Sequence, residues 1–136
     1  MVEAVKLAGH GRHPYVALVE ALWEERRTGA WKLRCRWFYR LSELSPQAKK
    51  NFPYDTELKD EVCLVDVEDD VDSRDLVGKA IVICGEASNP LARPEHSYVM
   101  RCTHSPASGA FHPYVRQAPG AQLEYAQPSV QGWLVR

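Results

Sequence analysis

No uninterrupted apolar stretch in this 136-residue chain approaches the roughly 20 residues that a membrane-spanning helix needs. Its first residues do not have the basic, apolar, small-residue layout of a signal peptide. The spacings that mark common catalytic sites are missing: Gly-x-Gly-x-x-Gly, the Walker loop, Gly-x-Ser-x-Gly and His-Glu-x-x-His. No Cys-x-x-Cys or His–Cys pair is spaced to hold a metal. Charge of one sign does not dominate, because 17 Lys and Arg against 18 Asp and Glu leave a net charge of −1. Bulk attraction to nucleic acid or to an anionic membrane is therefore not expected. Neither an internal repeat nor a low-complexity tract is present. Together these absences argue for a single domain that is not an enzyme and carries no cofactor.

What is present is alternation. Residues 31 to 39 place Trp31, Leu33, Cys35, Trp37 and Tyr39 on one face and Lys32, Arg34, Arg36 and Phe38 on the other. That is the period of a half-buried strand. Pro14 opens a second such run. Tyr15, Ala17, Val19, Ala21 and Trp23 share one side of it, and Val16, Leu18, Glu20 and Leu22 the other. Ala, Leu and Glu leave a helix open for residues 16 to 25. With a turn at Thr28-Gly29 the two runs read as an antiparallel hairpin. Ser45-Pro46 supplies a helix cap followed by proline at the first helical position. Shorter strands are expected at residues 61 to 67, 79 to 84 and 97 to 103, with a turn-or-helix link at 71 to 78, a loop at 85 to 96 and a turn at 108 to 111. Residues 1 to 12 read as a leader, loosely attached or paired at an edge. Residues 13 to 116 read as the domain, and 117 to 136 as an extension packed on it or trailing it. Many short strands with little helix indicate a mainly β fold, a small distorted β-barrel with short helical turns.

Four cysteines, Cys35, Cys63, Cys84 and Cys102, each lie inside an apolar segment and read as reduced, buried thiols. Five histidines lie in the leader or in polar loops, beside no nucleophile. Charge is segregated along the chain: Arg26 to Arg40 is basic and Asp55 to Asp75 is acidic. Such segments either attract each other as solvated faces or leave an acidic surface for a basic peptide. The acidic run is too dense to suggest two tuned carboxyls in a cleft.

Trp37 and Tyr39, two residues apart on one face, suit two walls of a pocket for an organic cation. They share that face with Leu33 and Cys35, so a purely structural role as core is the alternative. Phe38, on the opposite face, reads as packing.

Several blocks resemble the BAH (bromo-adjacent homology) domain. They are Pro14-Tyr15-Val16-Ala17-Leu18-Val19-Glu20, Cys35-Arg36-Trp37-Phe38-Tyr39-Arg40, Glu61-Val62-Cys63-Leu64-Val65-Asp66, Leu76-Val77-Gly78-Lys79-Ala80-Ile81-Val82, Ser97-Tyr98-Val99-Met100-Arg101-Cys102 and Ser108-Gly109-Ala110-Phe111-His112-Pro113. The resemblance covers roughly residues 13 to 116, and its most specific part is the Arg-Trp-aromatic-Tyr-Arg core. It implies a nuclear chromatin module, many members of which bind a histone tail through methyl-lysine. The methyl-lysine cage of those readers falls on Tyr15, Trp37 and Tyr39 here. Asp66 and Asp69 fall where related readers place peptide-contacting or cage-supporting groups.

Two subgroups are similar. Plant BAH–PHD readers bind histone H3 trimethylated at lysine 27, and the turn at Ser108 to Pro113 and the strand at Pro14 to Glu20 resemble theirs. A histidine that touches the peptide in that group is Val67 here. Plant chromomethylases bind methylated lysine 9 of H3, and Val65-Asp66-Val67-Glu68-Asp69-Asp70 resembles their segment. The resemblance implies first a reader of trimethylated lysine 27 linked to gene silencing, and second a reader of lysine 9. A methyl-independent interaction module in a chromatin-silencing complex is the third reading. Direct DNA contact through Arg34 and Arg36 is disfavoured by the net charge.

Overall fold

The structure, a computed structural model, describes residues 2–9, 13–85, 94 and 97–114. The described residues form one eight-stranded sheet of order β6-β5-β1-β2-β3-β4-β7-β8. The strands are β1 (Val2–Leu7), β2 (Tyr15–Glu24), β3 (Trp31–Tyr39), β4 (Cys63–Asp72), β5 (Leu76–Cys84), β6 (Ser97–Met100), β7 (Cys102–Ser105) and β8 (Ala110–Pro113). Among the described residues helix is confined to α1 (Pro46–Lys49) and two 3-10 turns, at Leu41–Glu43 and Ser73–Asp75. None is long and apolar enough to cross a membrane. The expected tail from 117 onward and most of the expected loop at 85 to 96 lie outside the described residues.

The sheet curls until its two sides meet, but no continuous ladder closes it. Edge strand β6 approaches the segment that leads into β4 through one bridge, Glu61 to Val99. There Val62 N–H donates to the Val99 carbonyl (2.8 Å) and Val99 N–H to the Asp60 carbonyl (3.1 Å). The fold is thus barrel-like rather than a closed barrel. A side-chain clasp pins the seam. Arg101 donates to both oxygens of Glu61 (2.6 and 2.7 Å) and to the Thr56 carbonyl (2.8 Å), with its guanidinium 3.8 Å from the Tyr54 ring centroid. Glu61 is buried, so the pairing satisfies a charge that would otherwise be costly to desolvate.

The curled interior is filled by residues from β1 to β6: Ala4, Val16, Leu18, Phe38, Leu64, Ala80, Val82, Tyr98 and Met100, together with Val62. The outer face of β1-β2-β3 carries a second cluster of Val5, Leu7, Ala17, Val19, Leu33 and Cys35. A third joins Cys63, Val65 and Cys102 to Leu44 and Ala48 of the α1 region.

β3 spans the residues its alternation marks, and β2 is strand rather than helix. Ser45 caps α1, its Oγ accepting the Ala48 N–H at 3.1 Å. Four expectations are corrected. Residues 2–7 are neither loosely attached nor at an edge of the sheet. β1 pairs with both β2 and β5, and Ala4, Val5 and Leu7 are buried. A strand covered on both faces shows no clean alternation to mark it. β2 does not keep one face throughout. The β2–β3 register runs Val19 to Cys35 and then Ala21 to Arg34, leaving Glu20 as a bulge. Leu22 therefore packs with the outer cluster, and Trp23 turns to the other side, where Arg34 lies 5.5 Å from its ring. Finally, β4 continues well past residue 67, because its acidic half pairs with basic β3. The strand expected at 97 to 103 is also two short strands, broken at Arg101.

Candidate functional site

β3 ends with two rings on its outer face, where Leu33 and Cys35 already form a floor. Ala17 lies opposite Trp37, which sets Tyr15 diagonal to the indole, close enough for rings to touch. The Tyr15 and Trp37 centroids are 5.9 Å apart with planes at 73°. Tyr39 follows two residues later along the strand, its ring parallel to the indole within 6° and 6.3 Å away. The three rings are half-buried. They line an open hollow of about 460 Å³ that Glu43 and Asp69 complete. Two walls are thus face-parallel and a third is set across them. Two carboxylates stand at the border of the hollow.

Each carboxylate arrives by its own route. Asp69 sits opposite Cys35 in the β3–β4 register and shares that outer face. Glu43 belongs to the 3-10 turn after β3, which folds back so that its Oε1 accepts the Arg40 N–H at 2.9 Å. Arg40 fastens the same corner from below. It donates to the carbonyl of Pro14, the residue before Tyr15, at 3.4 Å, and to the Tyr98 hydroxyl at 3.5 Å. Burial pushes the Tyr39 hydroxyl above its ordinary pKa, with Glu43 and Asp69 adding to the shift. The phenol is therefore neutral at physiological pH.

Four of the five residues singled out from the sequence, Tyr15, Trp37, Tyr39 and Asp69, meet at this hollow. Asp66 does not. It lines a separate hollow of about 350 Å³ with Arg36, Leu64, Thr103, His104, Ser105 and His112. The cause is a register shift: Arg36 pairs with Glu68 and Phe38 with Leu64, so β4 spends extra residues between the two pairs. Asp66 lands beside Arg36 (3.6 Å), facing away from the rings. Glu43 was missed. Its signal was present, since an acid three residues after the start of a turn reaches back to the backbone there.

The segregated charges largely attract each other. Across β3–β4, Lys32 pairs with Asp72 (3.4 Å) and Arg34 with Asp70 (3.0 Å), and Arg36 meets Glu68 (3.9 Å). Arg36 also forms an ion pair with Glu20 of β2, whose pKa burial raises and Arg36 pulls back. Asp69 lies on the opposite face from this ladder. Phe38 is core. Among the described residues no group of His, Cys, Asp and Glu is arranged to hold a metal ion.

No family model and no curated protein matches the chain. Solved structures do, among them the crystal structure of the yeast Rsc2 BAH domain, at 21% identity and a TM-score of 0.59. That match covers 82% of this chain and 48% of the other, so the chain spans about half the length of the structure it resembles. At this identity the likeness speaks for the fold alone. The chain has the fold of a BAH domain.

Proposed function

We propose that this domain is a nuclear chromatin reader that binds methylated lysine on the histone H3 tail, first of all trimethylated lysine 27, in the service of gene silencing. The observation that carries the proposal is the convergence of Tyr15, Trp37 and Tyr39 on one open hollow bordered by Asp69 and Glu43. Each methyl on a lysine nitrogen replaces a hydrogen-bond donor and spreads the positive charge over apolar surface. Ring faces suit such a cation better than water does. A cation–π contact contributes about 0.5–2 kcal/mol, so three give at most about 6 kcal/mol. A micromolar complex needs about 8 kcal/mol. The residues flanking the lysine supply the difference, by main-chain pairing and by attraction of basic side chains to the acidic border.

Lysine 9 is the second reading, favoured by the β4 segment. Val67 is exposed where readers of lysine 27 carry a histidine, which removes one contact that selects the lysine 27 context. Calorimetric titration with H3 peptides centred on each lysine, carrying zero to three methyls, tests the proposal. Affinity is expected to rise with methylation and to be greatest for trimethylated lysine 27. Equal affinity for all methylation states would overturn the reader and leave a methyl-independent interaction module in its place.

A further inference from the structure

The link from β1 back to β2 holds a glycine whose backbone does not require one. Gly29, Gly85 and Gly109 have positive φ, at 70°, 97° and 74°, a conformation that side chains disfavour. Gly9 does not have a positive φ. What sets it apart is space. A Cβ built on Gly9 would lie 2.8 Å from the His13 carbonyl oxygen, and 3.3 and 3.4 Å from Cε2 and Cδ2 of Tyr15. The first distance is an overlap with backbone, which has no rotamer to change. The other two are tighter than ordinary contact and press on the edge of one ring of the hollow.

Both ends of the link are tied down. Ala8 N–H donates to the Asp75 carbonyl at 2.7 Å, and Leu7 pairs with Tyr15 in the β1–β2 register. On the far side, the Arg40 guanidinium holds the Pro14 carbonyl. A side chain at position 9 would overlap the His13 carbonyl, two residues before Tyr15, and press on the edge of the Tyr15 ring, so the strain falls on the approach to Tyr15 and on its ring.

We propose that Gly9 is a positioning residue of the ring hollow: its missing side chain is the slot that receives the edge of Tyr15, and this slot sets the angle at which Tyr15 meets Trp37. Gly9 acts only through Tyr15. The binding readout of this inference rests on the methyl-lysine reading above, whereas its structural readout does not.

The test uses the full chain as wild type, Gly9→Ala and Gly78→Ala. Gly78 is a matched control, because nothing lies within 4 Å of its built Cβ and its φ is not positive. The probes are an H3 peptide trimethylated at lysine 27 and the same peptide unmethylated. Gly9→Ala is expected to weaken the trimethylated peptide by about tenfold, the size of one lost cation–π contact, and to leave the unmethylated one unchanged. Gly78→Ala should alter neither. In a Tyr15→Ala background, Gly9→Ala should add less than about a twofold change, since the ring it acts through is gone. An undiminished effect in that background, or no effect in the wild-type background, overturns the proposal.

Nuclear Overhauser contacts between the Gly9 α protons and the Tyr15 ring in the wild type decide the matter if Gly9→Ala fails to fold. Their absence overturns the proposal. Should the wild type not distinguish the two peptides, the reader reading fails by itself. The Overhauser contacts and the shift of the Tyr15 ring signals in Gly9→Ala then judge the role of Gly9.

Discussion

Trp37 is at once a strand residue packed on Leu33 and Cys35 and a wall of an open hollow, and its two roles make separable predictions. Trp37→Ala is expected to lower affinity for the methylated peptide by more than about tenfold, as truncation of an aromatic anchor does. The ring is only half-buried, so the fold should survive with a melting temperature lower by several degrees, corresponding to about 1–2 kcal/mol. Calorimetry beside thermal unfolding reads both. A variant that no longer folds would make Trp37 core first and binding wall second. The two aspartates singled out from the sequence separate as sharply. Asp69 borders the rings and Asp66 does not. Asp69→Asn should weaken binding of the basic methylated peptide and flatten its salt dependence, while Asp66→Asn should leave both unchanged in titrations between low and physiological salt. An equal loss from both would mean that the peptide reaches over β4 into the second hollow.

Elements depend on a few contacts that local sequence does not display. The seam between β6 and the entry to β4 has one bridge, and the Arg101–Glu61 pair reinforces it. Arg101→Ala would leave Glu61 buried without its partner, at a cost of about 3–5 kcal/mol. Denaturant titration should show that loss, and a change below about 1 kcal/mol would mean that water takes over the role of the guanidinium. The parts of the fold legible in the sequence are those whose signal is local. The strict alternation of 31–39 and the Ser45-Pro46 helix start form where expected, and the Ile- and Val-rich run lies in β5, which begins earlier, at Leu76. What escaped depends on partners distant in the chain. The acidic half of β4 has no apolar alternation, and it is a strand because Lys32, Arg34 and Arg36 stand opposite it. The change of face in β2 follows from a bulge at Glu20 that no local pattern announces. At the site, spacing points to Trp37 and Tyr39, and the family resemblance to Tyr15 and Asp69. Glu43 needed the turn to fold back, and Gly9 needed the return of β1 beneath Tyr15.

For the whole molecule the question is what makes the curled sheet one cooperative unit. The buried thiols offer a readout. Burial raises Cys35 and Cys63 to about 12 and Cys102 to about 11, so almost no thiolate exists at neutral pH. Their reaction with an aromatic disulfide reagent should be negligible in the native protein and should appear in step with global unfolding. The most demanding prediction concerns β1. It lies between β2 and β5, and among the described residues no other strand ladder joins β5–β6 to β2–β3–β4, which otherwise meet through the seam bridge and side-chain contacts such as Arg40 to Tyr98. Ala4 belongs to the interior cluster, and Val5 and Leu7 to the outer one, so both clusters lose members if the strand is removed. Exposing three buried side chains and the ladders on two strands costs several kcal/mol, comparable with the roughly 5–15 kcal/mol stability of a domain this size. Deleting residues 1–9 should therefore abolish cooperative unfolding and collapse the dispersion of amide NMR signals. Methyl-peptide binding should go with them, because Tyr15 loses both the strand beside it and the glycine slot behind it. A truncated chain that kept dispersed signals would show that residues 2–7 only decorate a sheet able to close without them.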